Sequence, residues 1–125
     1  MNILSFDHIV LCVGDIQETI RFYVEVLGME AREERPGKWA LHFGNSKISL
    51  QETGSIPEMA KGTVPGSGNF CLLTATPIRE IIDHLQAHQV TILNGPAEKI
   101  GATGQILSVY FNDPDGNLVE VSNTL

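Results

Sequence analysis

The sequence predicts an α+β fold: two βαβββ modules forming one domain over 1–125. Three observations carry that prediction. The order strand, helix, three strands occurs twice, over 6–52 and again over 69–122. The stretch between them, 53–68 (TGSIPEMAKGTVPGSG), has the densest Gly, Pro and Ser content of the chain and reads as a linker. A chain of 125 residues suffices for one domain, whereas either half alone would bury too little surface to be stable. A repeated unit must stack on its copy to bury its apolar face. The expectation is therefore a pseudo-twofold pair of curved mixed sheets enclosing a shared cavity at their seam.

In the first module, Phe6–Val13 (FDHIVLCV) is rich in β-branched and apolar residues and reads as a strand. Asp15 is the expected N-cap of the next helix, with Glu18 completing a capping-box pattern. Ile16, Ile20, Tyr23, Val24 and Leu27 recur at helical spacing, and Gly28 ends the run. Strands follow at Met29–Arg35, Lys38–Phe43 and Ser46–Gln51, separated by Pro36-Gly37 and Gly44-Asn45 turns. The second module opens with a strand over Asn69–Thr74. Pro77 suits the first turn of a helix whose stripe is Ile78, Ile81, Ile82 and Leu85. A short strand is expected at Val90–Leu93, another at Ile106–Asn112, and a last one at Leu118–Ser122 after the turn Asp113-Pro114-Asp115-Gly116.

Composition narrows the function. The formal charge is −7 and the apolar fraction 42%, ordinary for a globular protein. Nucleic acid wants clustered Lys and Arg, and an anionic membrane surface wants the same, so neither is an expected partner. The glycines of the linker form no phosphate cradle, because no GK[ST] follows. No apolar run approaches the roughly 20 residues that span a bilayer, and the first ten residues lack the pattern of a signal peptide. Cys12 and Cys71 both sit in apolar runs and read as buried free thiols ahead of a disulfide, which points to a reducing cytoplasm.

The repeat also serves as an internal alignment. His8 precedes IVLCV and Asn69 precedes FCLLT, so these two correspond; matching the final hairpins sets Ser49 opposite Glu120. The four positions that gather are His8, Ser49, Asn69 and Glu120. Imidazole and carboxylate together suit Zn, Mn, Fe, Co or Ni. Asn69 offers a neutral carbonyl oxygen and Ser49 a weak hydroxyl, while Gln51 lies on the same strand face as Ser49 and offers another carbonyl oxygen. Two readings stand: His8 and Glu120 hold a divalent metal, or they pair directly without one. Tyr110 reads as pocket-lining or as a core aromatic. Trp39 reads as sheet packing ahead of ligand stacking, His84 and His88 as a solvated pair on an outer helix, and Asp113 and Asp115 as turn residues.

The segments FDHIVLCVGDIQETIRFYVEVLGME and SVYFNDPDGNLVEVSN carry a resemblance. With them the chain resembles the vicinal oxygen chelate superfamily, the glyoxalase/bleomycin-resistance/dioxygenase fold. Within it the chain is most similar to small lactoylglutathione lyase-like and virulence-associated glyoxalase domain proteins. That resemblance implies metal ligands at His8 and Glu120, with Ser49 replacing the usual Glu or Gln and Asn69 the usual His. It implies a substrate contact at Tyr110, a homodimer, and a small-molecule substrate with adjacent oxygens, among them a glutathione adduct. Glu120 would shuttle the proton of a lyase or isomerase reaction. A glutathione adduct needs a cationic anchor, for which Arg21, Arg35, Lys38, Lys61, Arg79 and Lys99 are available. The alternatives are a non-catalytic drug or metabolite binder of the bleomycin-resistance type, which the acidic charge suits, and an extradiol dioxygenase, against which Asn69 argues.

Overall fold

His8 and five apolar residues, IVLCV, form the first strand, β1 (His8–Val13), and their alternation sets up two different faces. The computed structural model describes residues 1–55 and 59–125. Of the expected linker, residues 56–58 lie outside the described residues. The described chain falls into two compact units, Met1–Ser67 and Gly68–Leu125.

In the first unit β1 leads into α1 (Ile16–Glu25), then β2 (Glu30–Arg35), β3 (Lys38–Phe43) and β4 (Ser46–Glu52). The sheet order is β1-β4-β3-β2, with β1 parallel to β4 and the other pairs antiparallel. Only the β1–β4 pairing is parallel, so only it needs a crossover, and α1 is part of it. Asp15 caps α1 as its sequence predicts, its carboxylate accepting the Glu18 amide at 3.1 Å. The helix stops at Glu25, earlier than its apolar stripe implies. Gly28 takes φ +68°, and the Met29 amide reaches back to the Tyr23 carbonyl at 3.1 Å, a Schellman-type closure. Leu11, Val13, Leu41, Ile48 and Leu50 are buried, as are Thr19 and Tyr23 from α1 and Val26 at its C-cap. The opposite face carries His8, Val10, Lys47, Ser49, Gln51 and His42 and is left open.

The second unit repeats the order: β5 (Asn69–Leu73), α2 (Ile78–Ala87), β6 (Asn94–Ile100), β7 (Gln105–Asn112) and β8 (Leu118–Thr124). Its sheet runs β5-β8-β7-β6, again with one parallel pair. Pro77 is the N-cap of α2 rather than a residue of its first turn. Val109, Phe111, Val119, Val121, Ile81 and Leu85 are buried. One strand is misplaced by the sequence reading. Val90–Leu93 is not a strand; the second strand of this unit is β6, beginning at Asn94. Its sequence NGPAEKI looks like a turn, yet as the edge strand it needs no apolar alternation. Gly95 takes φ +103° there, and a Cβ would stand 2.3 Å from the Ser108 carbonyl oxygen, so only glycine fits.

The DPDGN turn ties this unit together. The Asp113 carboxylate accepts the Asp115 amide (3.0 Å), the Asn117 amide (2.9 Å) and the Asn117 side-chain amide (2.8 Å). The Asn117 side-chain oxygen accepts the Gly68 amide at 2.7 Å, fixing where β5 enters the sheet. Among the described residues no helix is long and apolar enough to cross a membrane.

Candidate functional site

His8 opens β1 on the uncovered face, opposite Lys47 of β4; Val10 stands opposite Ser49 and Cys12 opposite Gln51. The parallel register therefore brings His8, Ser49 and Gln51 onto one surface. They line a cleft of about 720 Å³ in the first unit, together with Arg35, Lys38, Trp39 and Lys47. The His8 ring is held from behind: its Nδ1 lies 2.7 Å from the Asp7 carboxylate. That hydrogen bond holds the Asp7 carboxyl below its usual value. It leaves Nε2 as the ring nitrogen without a hydrogen-bond partner among the described residues, and a carboxylate on the other ring nitrogen is a common feature of metal-ligating histidines.

Glu34 sits beside this row at the centre of an ionic group. Lys47 Nζ donates to both its oxygens, at 2.8 and 3.0 Å, and His42 Nε2 lies 3.2 Å away. The Lys47 hydrogen bond holds the Glu34 carboxyl below the ordinary carboxylate range. This group was not expected; for Trp39 the cleft position agrees with the lesser of its two sequence readings, ligand stacking. Trp39 is half-buried and lines the cleft rather than serving only as sheet packing.

In the second unit the register places Cys71, Glu120 and Tyr110 in one row across β5, β8 and β7. Ser108 and Ser122 form the next row, their hydroxyls 2.7 Å apart and both buried. The Ser122 hydroxyl also reaches Glu120 Oε1 at 3.5 Å and Cys71 Sγ at 3.3 Å. Burial raises the Tyr110 phenol above its usual value, and the neighbouring Glu120 carboxylate raises it further, so it stays protonated. Lys99 Nζ stands 5.7 Å from the Tyr110 ring centre. Cys71 corrects the sequence reading: it is an exposed thiol on this open face, while Cys12 is buried. Desolvation is the largest cause of a raised Cys71 pKa, and the neighbouring Glu120 adds to it. Asn69 stands two residues before Cys71 on the same strand face, opposite Leu118.

The two units thus share one offset. His8 lies two residues before the partner of Ser49, and Asn69 two residues before the partner of Glu120. Among the described residues no group of three or more His, Cys, Asp or Glu is placed to hold a metal ion. The donors whose chemistry fits a divalent ion are His8, backed by Asp7, and Glu120, flanked by hydroxyls; Asn69, Ser49 and Gln51 add only neutral oxygens.

Comparison with known proteins agrees with the architecture. Residues 5–121 match the family model of the Glyoxalase/Bleomycin resistance protein/Dioxygenase superfamily. Virulence protein STM3117 of Salmonella typhimurium is 46% identical over 124 residues, covering 98% of this chain and 85% of that protein. Its crystal structure matches with a TM-score of 0.96 at 43% identity over the whole of both chains. Glyoxalase domain-containing protein RDO1 of Mycosarcoma maydis is 39% identical over 98% of this chain and 70% of its own. The metallothiol transferase FosB of Staphylococcus epidermidis is 28% identical over 97% and 82%. With the match running from before β1 into β8, the chain belongs to the Glyoxalase/Bleomycin resistance protein/Dioxygenase superfamily.

Proposed function

We propose that this protein is a small metal-dependent lyase or isomerase of the glyoxalase type, acting on a substrate with two adjacent oxygens, a glutathione adduct among the candidates. The observation that carries this reading is the preparation of His8: a carboxylate 2.7 Å behind Nδ1 leaves the other ring nitrogen for a metal. In the proposal His8 and Glu120 are the ligands, with Asn69 a weak third. A bound divalent ion of the Ni, Zn, Mn, Co or Fe type supplies Lewis-acid polarisation of adjacent oxygens.

The chain's own groups do the rest. Glu120 takes a proton from the carbon bearing one oxygen and returns it to the neighbouring carbon, so nothing is consumed. The Tyr110 phenol, kept neutral and standing opposite Glu120 in the sheet, steadies the carboxylate between those two tasks. Ser122 supplies a second polar contact to the same carboxylate. Ser49 and Gln51 meet the substrate's polar groups in the first unit's cleft. The metallothiol transferase among the relatives supports a metal and a thiol-bearing partner. We also propose a homodimer, because Val10 and Leu73 are 51% and 63% exposed on the open sheet faces. A reducing cytoplasmic setting suits the two free thiols.

A second reading, non-catalytic binding of a drug or metabolite, draws on the lack of a three-donor group among the described residues. Turnover separates the two. Metal-stripped protein should be inactive toward the hemithioacetal of glutathione and an α-ketoaldehyde, and addition of Ni or Co should restore turnover. The Glu120→Gln variant should lose it with the metal present. Turnover absent under every metal, with saturable binding of an unmodified small molecule, would favour the binder.

A further inference from the structure

The proposed chemistry leaves one strong donor of the second unit unused. Cys12 is buried, but Cys71 is exposed on the open sheet face. In the parallel β5–β8 register Cys71 stands directly opposite Glu120, whereas Asn69 stands opposite Leu118. Register partners share a sheet face, and their strands run roughly 4.8 Å apart. The thiol and the carboxylate therefore leave the sheet side by side. The Ser122 hydroxyl touches both, at 3.3 Å from Cys71 Sγ and 3.5 Å from Glu120 Oε1. Ser122 is itself held by Ser108, 2.7 Å away, and both serines are fully buried. A fixed pair of hydroxyls thus ties the sulfur to the carboxylate.

Sulfur changes the donor set. The carboxamide oxygen of Asn69 is neutral and weakly basic. A thiolate carries a full negative charge and bonds zinc at about 2.3 Å, close to the roughly 2.1 Å of a carboxylate oxygen. Cys71 can share an ion with Glu120 across one strand pair, with no change of register. The two together are short of a three-donor group among the described residues. In the proposed function His8 is the further donor.

We propose that Cys71, as its thiolate, is the β5 ligand of the bound metal and forms with Glu120 a thiolate–carboxylate pair on one sheet face. On binding, the S–H bond breaks, its proton passes to solvent and a sulfur–metal bond forms; no electron is transferred. Asn69 then serves as a polar neighbour and not as a ligand. The assignment rests on the metal-dependent reading and narrows its ion, because a thiolate favours Zn, Co and Ni over Mn.

Cobalt makes the bond visible. Stripped, reduced protein is titrated with Co under argon while its absorption is followed. The wild type should develop weak visible bands, which report any protein-bound cobalt, and an intense near-ultraviolet band from charge transfer between thiolate and cobalt. Cys71→Ser should lose the near-ultraviolet band. It should also weaken Co and Zn by at least the roughly tenfold that loss of a supporting group costs a metal site, and Mn by less. Cys12→Ser, a change at the buried thiol, should keep the band. Asn69→Ala should keep it too and cost less affinity than Cys71→Ser. A second measurement needs no variant. A thiol-specific disulfide reagent should label one thiol of the native protein, Cys71, and saturating Zn should slow that reaction where Mn does not. Cobalt bound with visible bands but no charge-transfer band, unchanged Co and Zn affinity in Cys71→Ser, or labelling indifferent to Zn would overturn the assignment and leave the metal-dependent reading standing. A larger loss in Asn69→Ala than in Cys71→Ser would return the β5 ligand to Asn69. No binding of any ion would overturn both.

Discussion

Tyr110 and Glu120 form the residue pair whose chemistry is most exposed to measurement. Burial and the Glu120 carboxylate both hold the phenol above its ordinary value of 10.0. Replacing Glu120 by Gln removes the negative charge but not the burial. Tyrosinate absorbance should then develop at a lower pH than in the wild type, the other tyrosine, Tyr23, being fully buried and common to both. Superimposable titrations would mean that the two side chains do not interact. Thr19 gives a second prediction at this scale. Its hydroxyl is buried in α1 with no hydrogen-bond partner among the described residues. Thr19→Val keeps the shape and discards an unpaired polar atom, and should stabilise by about 1 kcal/mol, read as a rise in Tm. A fall in Tm would show that the hydroxyl has a partner. Single residues were unevenly legible in the sequence. His8 and Glu120 stood out by type, in segments of a known pattern. Cys71 did not, because NFCLLT looks like core on both faces, and only the uncovered sheet face explains an exposed thiol there. Arg35 and Lys38 were two cations among six until the hairpin register put them side by side.

At the scale of elements, the helices and central strands were readable because periodicity and burial agree. The apolar residues of α1 recur at helical spacing, and its Asp15 cap forms as the residue type requires. The exception, β6, shows what pattern cannot carry. An edge strand is held by backbone hydrogen bonds to β7 alone, so NGPAEKI satisfies the geometry without an apolar signature. Its tightest point is Gly95, where an added Cβ meets the Ser108 backbone oxygen at 2.3 Å. Gly95→Ala should therefore cost at least about 2 kcal/mol, combining overpacking with a φ that side chains resist. Because β7 carries Tyr110, the same variant should disturb the phenol titration. Chemical denaturation gives the first quantity, and a change below about 0.5 kcal/mol, the usual spread for surface substitutions, would show that β6 does not lie against Ser108 as described.

For the whole molecule, the doubling is the organising fact. The two units repeat one topology with the same offset between their first and last strands, yet each retains one strong donor, His8 in one and Glu120 in the other. The fold was legible because the repeat is written in strand and helix order. The ligand set was less so, since Ser49 and Asn69 stand where the family resemblance implies stronger donors. Sedimentation should give twice the 13.6 kDa of one chain if a second copy covers the exposed apolar residues. A monomer at micromolar concentration would contradict the proposed dimer. The central claim, a metal held through His8 and Glu120, is tested most directly by calorimetric titration of the stripped protein with Ni, Co, Zn and Mn. The account predicts saturable micromolar binding of at least one ion, abolished in His8→Ala and in Glu120→Ala, and weakened about tenfold in Asp7→Asn, which unbacks the His8 ring. Absence of binding by every ion, or binding that persists unchanged in both alanine variants, would contradict it.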